Sequence, residues 1–283
     1  MGINLGYDKV VYNHPFSPSG TCSVNAKKTL IMVYHILNGD SLAHSFPDAE
    51  LEGNIIVVRE ALIDGDLSGD NLDDFWRSRA LSVGSTEAEY HRQVVKEFEK
   101  IMNAPDDAEF NLWFEFDLFC QVNMWFVISI INNLPIRKKA YAVYSCYLDK
   151  TSKHFWNGFG AANGTELTFS FTHRIPLNDA DLERGQDLWT AYRLGNAEEL
   201  MRLAGKQSAA FPYLQEVVKA QADRFPKDGS PGRPEKVLED ITKNVSADFH
   251  EVFREFWKRE SIYGFGDVQL KHLYDKVMQG GQR

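Results

Sequence analysis

Apolar residues along this chain gather into short, almost unbroken runs that end in polar or turn-forming residues. Met32–Asn38 (MVYHILN) runs into Gly39, Asp40 and Ser41, and Asn54–Leu62 (NIIVVREAL) runs into the turn-rich IDGDLSGDN. Phe110–Asp117 (FNLWFEFD) and Ala140–Leu148 (AYAVYSCYL) are two more runs of the same kind. Their β-branched and aromatic content predicts strands. Continuous apolarity, rather than clean alternation, predicts strands covered on both faces, as in a parallel sheet.

Helical patterns fall between these runs. Thr86 and Glu89 fit a capping box for a helix to about Met102, with Tyr90, Val94, Phe98 and Ile101 on one face. Leu118–Leu134 is nearly all apolar and predicts a buried helix. Strands alternating with helices imply an α/β fold with a mostly parallel sheet between helices, Rossmann-like or otherwise doubly wound. After Pro176 the pattern changes to short helices with clear starts and stops. Asn178, Asn196 with Glu199, and Pro212 open three of them; Gly195, Gly205 and Pro226 end them. A linker-like KDGSPGRP (Lys227–Pro234) precedes three final helical segments, starting near Pro234, Ser246 and Asp267. The expected organisation is an extension (1–26), an α/β domain carrying a ligand site (27–176) and a small all-helical domain (177–283).

Composition narrows the function classes. A net charge of −9 argues against a general affinity for nucleic acid or anionic membrane. Residues 224–283 carry eleven Lys/Arg against ten Asp/Glu, so this segment repels phosphate less than the rest. Its last three helices could form a winged-helix-like module. Lys258, Arg259, Lys271 and Lys276 are thinly spread for a recognition helix, and Phe249, Val252, Phe253 and Phe256 read as core. Cys22, Cys120 and Cys146 are too few and too far apart for a disulfide framework or a zinc site, and read as free thiols. The N-terminus lacks a signal-like apolar core, and the most apolar run, Val122–Ile131, is about half the ~20 residues that span a bilayer. The expectation is a cytosolic protein without a membrane partner.

In an open parallel sheet, ligands bind beyond the carboxyl ends of the strands. The polar residues there are Asn38, Asp40 and Ser41 after the first strand, Arg59, Glu60 and Asp64 after the second, and Glu115, Asp117 and Gln121 after the third. The fourth leads to Asp149, His154 and WNGFG (Trp156–Gly160). Asp40, Glu115 and Asp117 could share a divalent cation such as Mg²⁺ and act as the catalytic set. Ser41, Arg59, Glu60 and Gln121 would then contact ligand, with Arg59 on an anionic group. Plainer roles fit the same residues: Asp40 and Ser41 as a helix start, Arg59 with Glu60 as a structural ion pair, Asp117 as a helix cap. Gly39–Leu42 also spells GDSL, an esterase motif, but the DxxH segment that would supply a base is missing.

Several of these segments together resemble the bacterial family called domain of unknown function 1835. They are LNGDSL (Leu37–Leu42), VVREAL (Val57–Leu62) and LWFEFDLFCQ (Leu112–Gln121), with Phe75–Arg79, Asn157–Gly160, LWTAYR (Leu188–Arg193) and FPYL (Phe211–Leu214). The resemblance implies an α/β domain with a helical tail and points to Asp40, Arg59, Glu115, Asp117 and Gln121. It implies no substrate. Phe116 and Cys120 depart from it, standing where the family has His and a second Asp. The function expected is binding of a small, phosphorylated or nucleotide-like ligand, with metal-assisted hydrolysis or phosphoryl transfer as its chemistry. The alternative is a non-catalytic ligand-sensing regulator.

Overall fold

A computed structural model describes residues 31–46, 51–145, 158–160, 162–226 and 228–280. The expected extension (1–26), together with Cys22, Cys146, Asp149, His154, Trp156 and Asn157, lies outside them. The described residues belong to one compact unit.

Its centre is a five-stranded sheet in the order β2-β1-β3-β4-β5. The strands β1 (Val33–Asn38), β2 (Asn54–Val58), β3 (Ala108–Trp113) and β4 (Lys138–Val143) pair in parallel. β5 (Ile175–Leu177) closes the edge antiparallel to β4. At three residues it is too short to stand out as an apolar run. The chain adds β2 on one side of β1 and β3 on the other, so the order reverses at the β1–β3 boundary.

The near-continuous apolar runs reflect burial on both faces. Tyr34, Ile36, Phe110, Leu112, Ala140 and Ala142 enter the main core on one face. Leu37, Trp113 and Val143 enter a smaller core on the other, with Leu42 and Phe46 from the region of α1 (Asp40–Ser45) and Leu167 from α6 (Gly164–Thr172). The main core is built against α5 (Leu118–Asn132), a helix buried on nearly every side and accordingly apolar throughout.

Two helices were not anticipated. α2 (Leu72–Ser82) starts where the turn-rich stretch ends, the free Asp74 amide of its first turn met by the Asn71 side chain, and buries Phe75, Trp76 and Arg79. α6 follows an Asn163–Glu166 capping box. The helix expected from Thr86 forms, but in three parts: α3 (Glu87–Tyr90), a π-helical turn (His91–Val95) and α4 (Lys96–Met102). The four residues expected on its inner face are all buried.

After residue 177 come α7 (Asp179–Arg193), α8 (Ala197–Ala204), α9 (Leu214–Arg224), α10 (Arg233–Asn244), α11 (Phe249–Glu260) and α12 (Asp267–Gly280). Among the described residues no strand follows β5, so nothing there forms the wing of a winged helix. Leu182, Leu214, Leu238, Phe256 and Leu270 belong to the same core as the sheet's first face. The helical tail is thus packed on the α/β layers, and α7 lies along α5. Among the described residues no helix is long and apolar enough to cross a membrane.

Candidate functional site

The carboxyl ends of β1 and β3 meet where the strand order reverses, and polar side chains gather there. Glu115 follows β3 by two residues and Asp117 caps α5, its Oδ1 accepting from the Cys120 amide at 3.0 Å. Within the first turn of α5, Cys120 turns its thiol back toward the strand end. A donor atom from each of Glu115, Asp117 and Cys120 lies within 4.8 Å of the other two. The thiol donates to Glu115 Oε2 at 3.0 Å and accepts from Asn38 Nδ2 at the end of β1, also at 3.0 Å.

The cluster is braced from behind. Asn123, the polar residue that interrupts the apolar helix, donates to Asn38 Oδ1 (2.9 Å) and to the Glu60 carbonyl (2.7 Å), while its own Oδ1 accepts from the Leu62 amide. Gln121, expected at the ligand, is buried and spends its amide on the Glu115 carbonyl at 2.8 Å. It positions the strand end. From above, the Phe159 amide donates to Glu115 Oε1 at 3.3 Å.

Two glycines press on the acids. A Cβ at Gly158 (φ +58°) would lie 1.8 Å from Glu115 Cγ, and one at Gly264 (φ +64°) would lie 1.9 Å from Asp117 Oδ1. Both need a positive φ and both touch a carboxylate-bearing side chain, so no other residue fits either place. Gly264 follows the Ser261–Tyr263 turn, which brings the helical tail into contact with the site.

Charge is the unusual feature. Asp117 is 3% exposed and Glu115 is only partly open to solvent. Burial, reinforced by the Glu115 charge beside it, raises the Asp117 carboxyl from its ordinary value to about 7. Burial also raises Glu115, against the hydrogen bonds from Cys120 and Phe159, and pushes the Cys120 thiol well up. Among the described residues no Lys, Arg or His side chain pairs with either acid, although neighbouring carboxylates are well supplied.

Asp40 does not join this cluster. Arg59 holds its carboxylate through Nε (2.9 and 3.0 Å) and Nη2 (2.8 Å), and keeps it below its ordinary pKa. The shared-cation set expected from Asp40, Glu115 and Asp117 is therefore corrected: Cys120 stands where Asp40 was expected. Arg59 is engaged with Asp40 and with the Gln93 carbonyl, and both members of the pair are substantially exposed. Ser41 is exposed on the first turn of α1.

Glu60 is likewise corrected, from a ligand-facing acid to a buried structural one. It accepts from Arg79 Nη2 at 2.8 Å, from the Tyr90 hydroxyl and from the Ala61 amide. Its partner is Arg79 of α2; Arg59, next to it in the chain, turns to Asp40.

Phe116 points away from the acids. It stacks on Tyr144 (centroids 4.6 Å apart) and meets Tyr213 edge-on at 5.1 Å. Ser145 was missed. It follows β4 by two residues, as Glu115 follows β3, and so lies at the same carboxyl edge of the sheet. Ser145 is 2% exposed and its Oγ has no hydrogen-bond partner among the described residues. Neither the Asn38–Cys120 bond nor the approach of Gly264 to Asp117 carried a signal in the sequence, whereas Gly158 lies in the WNGFG segment expected after the fourth strand. Asn123 did, as an amide in a helix with nowhere wet to point.

Compared with protein-family models, with curated proteins and with solved structures, the chain finds no match in any of the three.

Proposed function

We propose that the chain binds a small polar ligand at the carboxyl edge of its sheet through a divalent cation held by Glu115 and Asp117. The observation that carries this reading is the pairing of two crowded carboxylates, one almost fully buried, with no cationic neighbour among the described residues. Like charges held together away from water are costly unless something neutralises them. Protons can do so, and the raised Asp117 pKa expresses that tendency. A divalent cation does it more completely, and carboxylate oxygens are its natural ligands. The location supports the same reading. In a doubly wound, Rossmann-like sheet, as we read this one, the crevice at the reversal of strand order is where ligands bind.

A bound cation would polarise a phosphoryl or carbonyl oxygen and activate water, which suits hydrolysis or phosphoryl transfer on a phosphorylated or nucleotide-like ligand. Arg59 is the guanidinium for the anionic group, reached by exchanging the exposed Asp40 carboxylate for phosphate. Membership of the domain of unknown function 1835 family is part of this proposal, resting on the strand-end motifs.

The contact of Gly264 with Asp117 favours a second reading, a non-catalytic sensor whose helical tail responds to the occupied site. Thermal denaturation of chelator-treated protein tests the proposal. Mn²⁺, Mg²⁺ or Zn²⁺ should raise the melting temperature of the wild type and leave Asp117→Asn and Glu115→Gln unmoved, and nucleoside monophosphates should add a further shift only with the cation present. A wild type unaffected by every cation overturns the cation reading. Turnover of a phosphate ester then separates enzyme from sensor.

A further inference from the structure

We infer that the site is built for a thiophilic ion of the Zn²⁺ type in preference to Mg²⁺, with Cys120 as a thiolate ligand and a fourth, open position facing Ser145. This rests on the reading that Glu115 and Asp117 hold a cation. The donor set points to it. Mg²⁺ takes a near-octahedral shell of oxygens and keeps several waters, whereas thiolate donors select Zn²⁺ and its softer neighbours. Here sulfur and two carboxylates converge within 4.8 Å, compatible with the roughly 3.5 Å between ligand atoms that Zn–S and Zn–O bond lengths imply for a tetrahedral ion.

A hydrogen-bond donor is in place for the sulfur, which burial and the two acids otherwise keep protonated until an ion displaces the proton. Asn38 Nδ2 already directs an N–H at Sγ from 3.0 Å, and a donor to sulfur favours the anionic form. Asn38 is itself fixed by Asn123, so the donor is held in place before any ion arrives. On binding, the Cys120 S–H bond breaks and a metal–sulfur bond forms. The proton, now directed at Glu115 Oε2, leaves to solvent.

Ser145 supplies an independent observation. A hydroxyl 2% exposed and without a partner is rare in a folded protein, and Ser145 follows β4 by two residues as Glu115 follows β3, at the same edge of the sheet. Three protein ligands leave a tetrahedral ion with one open position. A water or ligand oxygen there would give the Ser145 hydroxyl the partner it lacks. The competing account is that Cys120 is simply a small buried side chain filling space at the start of α5.

The test uses the full chain, stripped by chelator, titrated calorimetrically with Zn²⁺, Mn²⁺ and Mg²⁺ and spectroscopically with Co²⁺. The wild type should prefer Zn²⁺ and show a thiolate-to-Co²⁺ charge-transfer band. Cys120→Ser should lose the band and weaken Zn²⁺ binding by more than about a hundredfold, the upper end of what loss of a mere outer-shell partner costs. Cys120→Asp should shift the preference toward Mn²⁺ and Mg²⁺. Equal affinities for Zn²⁺ and Mg²⁺ in the wild type, or unchanged Zn²⁺ binding in Cys120→Ser, overturn this inference and leave the cation reading standing. No binding of any ion by the wild type removes both.

Discussion

Glu60 and Asp117 occupy comparable places, just past the ends of β2 and β3, the two parallel strands that flank β1, and the fold treats them in opposite ways. Glu60 is 5% exposed and neutralised by Arg79, with Tyr90 and a backbone amide completing its shell. Asp117 is 3% exposed and has another acid for a neighbour. Burial is the same; compensation is not. A buried carboxylate with its own guanidinium is part of the architecture, linking β2 to α2. One without a cation marks the place where an external cation gains most, because the cost of burying the acid is already met by the fold.

That contrast predicts the largest effect. Arg79→Met should leave Glu60 buried and unpaired and cost about 3–5 kcal/mol in urea unfolding. Glu115→Gln, at an acid of the other cluster, should cost nothing or stabilise the cation-free protein by relieving repulsion. Similar losses in the two variants would erase the distinction.

The pH dependence comes next. A carboxyl whose folded pKa is raised above its unfolded value adds stability that is complete below about pH 4. That stability is lost as the pH rises through the folded pKa, about 7 for Asp117. Cation-free protein should therefore lose stability between about pH 4 and pH 7, by at most about 4 kcal/mol from Asp117, the difference between 3.8 and about 7 at 1.36 kcal/mol per unit. Glu115 acts in the same direction. Asp117→Asn should flatten the slope, and saturating cation should reverse it. A wild type and Asp117→Asn with parallel stability profiles would contradict the burial argument.

Smaller effects separate the two roles of Asp117. As the cap of α5 it can be replaced by Asn, whereas Asp117→Ala should cost about 1 kcal/mol in chemical denaturation. Loss of cation binding should be equal in both. Smallest of all is the surface pair: Arg59→Ala should change stability by under about 1 kcal/mol, since Arg59 and Asp40 are 34% and 51% exposed. Its effect should instead appear in the affinity for a phosphorylated ligand.

The division between what the sequence revealed and what it concealed follows the range of the interactions. Strand runs such as Asn54–Val58 and caps such as Asn178 are local, and periodicity or a single side chain marks them. Glu115 and Asp117 were legible because they stand two residues apart in the short link between an apolar strand and an apolar helix. Arg79 meets Glu60 from a helix that begins only after the turn-rich stretch, 19 residues along the chain, so the adjacent Arg59 is the partner the sequence suggests. Cys120 reads as one more small apolar residue until α5 turns it toward Asn38, 82 positions away in the chain. Gly264 belongs to the last helices, and nothing in YGFG announces that it closes on Asp117.

Metal stoichiometry tests the central claim most directly. Chelator-stripped protein is dialysed to equilibrium against Zn²⁺ or Mn²⁺ and assayed by elemental analysis, beside the double variant Glu115→Gln/Asp117→Asn. The account expects one ion per wild-type chain and none in the variant, with both proteins folded by circular dichroism. Equal retention by the two, or none by the wild type, would contradict it.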